Sequence, residues 1–91
     1  MSTQFEFLGP LKALVNGDEI IEVDATNIRE ALEKLQESYD GLLSRLLSDS
    51  GTVHRHINIF LNEEDIQLKD NLQTALSSGD KVTLISAIAG G

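Results

Sequence analysis

The sequence predicts an α+β fold, a mixed sheet of four to five strands packed on one main helix, on three observations. β-prone runs stand towards both ends of the chain, one stretch between them carries a helical period, and 91 residues suffice for a single domain with one modest core. An amphipathic helix needs an apolar surface to lie on, and a sheet covered on one face supplies it economically.

Taken in order, Phe5-Glu6-Phe7-Leu8 alternates as a strand does, and Gly9-Pro10 breaks it. Asn16-Gly17-Asp18 is a turn signal ahead of Ile20-Ile21-Glu22-Val23, so the first two strands read as a hairpin with a long connection. At Ala25-Thr26-Asn27 the period changes. Ile28, Ala31, Leu32, Leu35 and Tyr39 fall on one helix face, with Arg29, Glu30, Glu33, Lys34 and Glu37 elsewhere on the wheel. Asn27 followed by Glu30 has the form of a capping box, Thr26 is the rival cap, and Asp40-Gly41 stops the helix. Leu42 to Leu47 suggests a short helical turn and Ser48 to Thr52 a loop. His56-Ile57-Asn58-Ile59-Phe60-Leu61 is the next strand, with Ile57, Ile59 and Leu61 on the buried face and His56, Asn58 and Phe60 on the other. Asn62-Glu63-Glu64 is a turn, Asp65-Ile66-Gln67-Leu68 a short strand and Asn71 to Ala75 a helical turn. Ser78-Gly79-Asp80 leads into the final strand, Lys81 to Ile88. This order is the β-grasp arrangement, in which the last strand runs centrally. The expected division is a β-grasp domain over residues 1–85 and a flexible, reactive C-terminal tail over 86–91.

Fifteen acidic residues against seven basic ones leave a formal charge of -8, which argues against nucleic acid and anionic membrane surfaces as partners. A basic protein surface is the natural complement, beside the plainer role of keeping the chain soluble. The absence of cysteine excludes a disulfide, a thiolate metal site and a thiol nucleophile. No stretch approaches the ~18 apolar residues of a membrane span, and the first residues lack a signal pattern, so cytoplasm is the expected location.

The end of the chain is the most unusual stretch. Ser86-Ala87-Ile88-Ala89-Gly90-Gly91 runs off the apolar Val82-Thr83-Leu84-Ile85 with no charged residue to close it. Gly90 and Gly91 have no Cβ, so they can lie flat in a narrow slot and leave the Gly91 α-carboxylate sterically bare. A frayed end without function is the alternative reading.

Gly79-Asp80-Lys81-Val82, with Ala89-Gly90-Gly91 following, resembles the ThiS/MoaD class of ubiquitin-like sulfur carriers, and the resemblance covers essentially the whole chain. Within that class, the run from Arg55 to Ile66 and the segment Leu43-Ser44-Arg45-Leu46 are similar to the CysO carriers of cysteine synthesis and to archaeal MoaD-like modifiers. Molybdopterin-synthase small subunits commonly carry two prolines before the final residues, where this chain has Ser86-Ala87, which points away from that branch. With Gly91 as the last residue, the expectation is a terminus that needs no proteolytic trimming.

The resemblance implies a chemistry. A free carboxylate is a poor electrophile, and adenylation by ATP gives it a good leaving group. A separate ubiquitin-activating-like enzyme is implied to perform that step. Sulfur then replaces AMP, and the resulting Gly91 thiocarboxylate is used by a sulfur-accepting synthase, cysteine-synthase-like in the first instance. On this reading the chain is a co-substrate and not an enzyme, with no bound cofactor, and it is a monomer when free. No Gly-rich phosphate loop or catalytic cluster is present in the sequence. Gly91 and Gly90 form the reactive terminus. Ala89, Ile88, Ile85 and Phe60 are the expected partner-binding residues, because Phe60 and Ile85 point away from the helix and, with Ile88, make an apolar patch beside the tail. Two other functions use the same residues: a ubiquitin-like modifier joined to lysines through Gly91, and a non-covalent interaction subunit.

His54 and His56 are two apart and share a face on a strand, as two metal ligands would, but no third ligand accompanies them, and exposed or hydrogen-bonded histidines are the preferred reading. Glu63-Glu64-Asp65 lacks calcium-loop spacing and reads as a solvated turn.

Overall fold

The computed structural model describes residues 2–86. Five strands, β1 (Thr3–Phe7), β2 (Ile21–Val23), β3 (Ile57–Leu61), β4 (Glu64–Asp65) and β5 (Lys81–Ser86), form one sheet in the order β2-β1-β5-β3-β4. β5 runs parallel to β1 and antiparallel to β3, so the last strand is central, as the sequence predicts. Parallel neighbours require a crossover, and helix α1 (Ile28–Ser38) lies in the connection.

The helix forms where its caps and its stripe agree. The Asn27 side chain accepts from the Glu30 amide at 2.8 Å, and the Glu30 carboxylate reaches back to the Thr26 amide at 2.7 Å. Asn27 is therefore the cap, and the Thr26 amide donates the return bond. That bond to the Thr26 amide, with one from its hydroxyl, holds the Glu30 carboxyl below the usual carboxylate range. Ile28, Ala31, Leu32 and Leu35 are all buried, each of the larger three contributing about 1.5–3 kcal/mol by leaving water. They meet Phe5 and Phe7 of β1, Ile57 and Ile59 of β3, and Val82 and Leu84 of β5 in one core. Gly41 takes φ 78°, in the left-handed region that favours glycine, and turns the chain into the short helix α2 (Leu42–Leu46).

Three elements differ from expectation. The long β1–β2 connection is a 3-10 helix, Gly9–Val15, that buries Leu11 and Val15 under the sheet. The fourth strand is only Glu64–Asp65, because the Asp65 carboxylate accepts from the Gln67 amide at 2.8 Å and starts a 3-10 turn, Ile66–Leu68, which draws Ile66 into the core. β3 begins at Ile57 and not at His56, since the Ile57 amide closes a turn onto the His54 carbonyl. Ser86 pairs opposite Ile57 within the expected final strand, whose expected end at Ile88 lies outside the described residues. Among the described residues, no buried side-chain nitrogen or oxygen lacks a hydrogen-bond partner, and no helix is long and apolar enough to cross a membrane.

Candidate functional site

β5 is gripped from both sides, and its register is set at its first residue. The Asn62 side chain accepts from the Lys81 amide at 3.0 Å and donates to Asp80 at 2.9 Å, while Asp80 accepts from the Ser77 amide at 2.8 Å. Gly79, at φ 87°, makes the turn that precedes it. With that start fixed, alternation decides which side chains face the helix and which face out. Val82 and Leu84 have no exposed surface, whereas Ile85 keeps 38% of its surface in water.

Ile85 lies opposite Asn58, and the half-buried Phe60 lies opposite Thr83 on one side and Asp65 on the other. Phe60 and Ile85 are thus diagonal neighbours on the outer face, roughly 7–8 Å apart along the backbone. The structure brings these two sequence-predicted residues together on the surface the helix does not cover. The other four, Ile88, Ala89, Gly90 and Gly91, lie outside the described residues. Towards β1 the face is closed by an ion pair between Lys81 and Glu6 at 3.0 Å, partly exposed and worth no more than about 1 kcal/mol. On the other side Asn58 reaches the Asp65 carboxylate at 3.4 Å. Of these polar residues the sequence placed Asn58 on the outer face beside Phe60, and did not single out Glu6, Lys81 or Thr83. The signal was available, since Glu6, Asn58, Lys81 and Thr83 occupy the outward alternate positions of their own strands.

His54 and His56 stand in the turn before β3, their rings stacked with centroids 5.4 Å apart. Among the described residues no group of three or more His, Cys, Asp or Glu is arranged to hold a metal ion. Tyr39, at the C-cap of α1, donates to the Asp18 carboxylate at 2.6 Å, and that bond raises its pKa.

β5 thus runs through the middle of the sheet with an outward apolar pair near its close. The chain is 32% identical over 83 residues to the sulfur carrier protein CysO of Mycobacterium tuberculosis, covering 89% of each. It is 33% identical to small archaeal modifier protein 3 of Haloferax volcanii over the full length of both. Among solved structures, the Amycolatopsis orientalis BexX/CysO complex contains a chain that superposes with a TM-score of 0.88 at 25% identity, covering 98% of this chain and 99% of that one. Mycobacterium tuberculosis CysO superposes at 0.87 with 27% identity, covering 94% and 99%. Residues 5–91 match the ThiS family model, and the chain belongs to the ThiS family of ubiquitin-like, β-grasp sulfur carriers.

Proposed function

We propose that this chain carries sulfur as a thiocarboxylate on Gly91 and delivers it to a biosynthetic enzyme, cysteine synthesis being the first destination to test, ahead of molybdopterin, thiazole or siderophore assembly. The observation that carries the reading is the Gly90-Gly91 end attached to the central strand of a ThiS-family β-grasp domain. The likeness to CysO along most of both chains supports the choice of destination.

The chemistry proceeds in two steps. A carboxylate oxygen of Gly91 attacks the α-phosphorus of ATP in an adenylating partner, and pyrophosphate leaves. A sulfur nucleophile at the oxidation level of hydrosulfide then adds to the acyl carbon, and AMP leaves. The thiocarboxylate so formed is ionised at neutral pH and nucleophilic at sulfur, yet remains covalently held. Gly90 and Gly91, free of Cβ, pass through the narrow access such a site needs. Phe60, Ile85, Ile88 and Ala89 dock against the partner, an apolar contact within a polar rim. That a CysO was crystallised in a complex with BexX supports a carrier that works through protein docking.

A second reading has its own observation. The full-length likeness to small archaeal modifier protein 3 supports attack on the same activated glycine by a lysine amine, giving an isopeptide.

Intact mass of the protein purified from its own host, under non-reducing and amine-free conditions, tests both. Sulfur for oxygen adds about 16 Da, as oxidation of Met1 does, so fragmentation must place the shift at Gly91. Unmodified protein beside heavier conjugates supports the modifier, and neither species leaves a non-covalent subunit. Deleting Gly91 abolishes either covalent role and spares binding.

A further inference from the structure

A second surface lies at the opposite side of the sheet from β3 and β4, and nothing in the tail chemistry uses it. β2 is an edge strand: it pairs with β1 alone, and among the described residues no backbone bond reaches its other side. Just past the strand, the Lys34 ammonium donates to the Asp24 carbonyl. Between the free edge and α1 runs an open groove of about 280 Å³, walled by Ile21 and Val23 of the strand and by Lys34, Leu35, Ser38 and Tyr39. Leu35 and Val23 are buried at its floor, and Ser38 is exposed at its rim.

The charge along this edge has one sign. Asp18, Glu19, Glu22 and Asp24 are exposed within seven residues that contain no cation, and Lys34 is the single positive group on the facing wall. Ile20, between them, keeps 48% of its surface in water.

We propose that the β2 edge is a strand-addition site for an extended segment of a partner protein, with apolar side chains at alternate positions and lysine or arginine between them. Gln4 turns its amide to Asp80, so Thr3 and Phe5 bond Val23 and Ile21, and the backbone of Glu22 faces the free side; an added strand satisfies that amide and carbonyl and sets every second side chain over the groove, the arrangement by which a sheet edge recognises a peptide. The acidic residues select the charge of that peptide. They also exclude a second copy of this chain as the occupant: two β2 edges side by side would bring Glu22 and its neighbours against the same residues of the partner, and like charges opposed across strands destabilise the pair. Because β1 separates β2 from β5, a segment bound here leaves the outer face around Ile85 and the end of β5 unobstructed.

The test is a titration of the full-length, isotope-labelled protein with acetyl-Lys-Val-Lys-Val-Lys-Val-Lys-amide, read by backbone amide shifts. Shifts confined to residues 19–24 and 34–39, slowed amide exchange on β2, and no response to the same peptide with glutamate for lysine are expected. Glu22→Lys should weaken binding by about tenfold, one attractive cross-strand pair becoming a repulsive one, while Glu64→Lys on the far edge leaves it within about twofold. Ser38→Trp fills the groove from the helix side, leaves the strand and its charges untouched, and should also abolish the shifts. The proposal is overturned by shifts spread over the outer face, by equal losses in Glu22→Lys and Glu64→Lys, by no shift at millimolar peptide, or by sedimentation showing a dimer that Ser38→Trp dissociates.

Discussion

Leu84 and Ile85 are adjacent in β5 and stand on opposite faces of the sheet, so truncating each in turn reads the register directly. Leu84 has no exposed surface and packs in the single core, where removing a leucine side chain to alanine costs about 2–5 kcal/mol, the lost transfer energy plus the cavity left behind. With a cost of about 3 kcal/mol, and roughly 4–8 °C per kcal/mol in a domain of this size, Leu84→Ala should lower the melting midpoint by about 12–24 °C. Ile85 is 38% exposed beside Asn58, and Ile85→Ala should cost about 1 kcal/mol or less. Urea unfolding followed by far-UV circular dichroism measures both, with an unchanged m-value as the check that the unfolded state is the same. Equal costs, or a larger cost at Ile85, would show that β5 does not hold this register. A one-residue slip moves every side chain of a strand to the other face, so that outcome would bury Ile85 and remove it from the docking surface. Ile85→Asp and Phe60→Asp extend the test to function: each should leave the far-UV spectrum intact and block activation by the adenylating partner.

Other outcomes follow from local geometry. Asn27→Ala removes the bond to the Glu30 amide and should cost about 1 kcal/mol in urea unfolding. Glu30 is held below its ordinary pKa, so its contribution is full above the unfolded value and is lost as pH falls through the folded one; Glu30→Gln should flatten that part of an acid titration of stability. Tyr39 is the single tyrosine, and its phenolate absorbance should titrate above the ordinary tyrosine value and move down in Asp18→Asn. Its neutral form is the one bonded in the fold, so that contribution is present below the unfolded pKa and lost as pH rises through the raised one. Asn62 and Glu63 both have positive φ in the two-residue turn between β3 and β4, and Glu63→Gly should raise stability by roughly 0.5–1 kcal/mol, read as a higher urea midpoint.

Where local chemistry decides a feature, the sequence shows it. The helix from Ile28 was legible because Asn27, Glu30 and the apolar stripe agree on one answer, and the burial of Ile57, Ile59 and Leu61 follows from alternation alone. The 3-10 helix at Gly9–Val15 was not legible. Its Leu11 and Val15 are apolar at a spacing that fits a loop as well as a turn, and only the space beneath the sheet makes them core. Asp65 to Leu68 failed for a related reason, since an Asp65 side chain that competes for the Gln67 amide ends pairing after two residues.

The fold class, the one long helix and the Gly90-Gly91 end were legible because capping, periodicity and the absence of a side chain are properties of neighbouring residues. Only the packed sheet sets which residues of different strands stand side by side and which edge is free. That Phe60 and Ile85 are diagonal neighbours depends on the pairing of Phe60 with Thr83 and Asn58 with Ile85, residues far apart in the chain. That β2 offers a free, acidic edge over a groove depends equally on β1 taking β5, and not a second partner for β2, as its other neighbour. Backbone pairing across the sheet is set by the summed packing of the whole core, and no local stretch of sequence contains that sum.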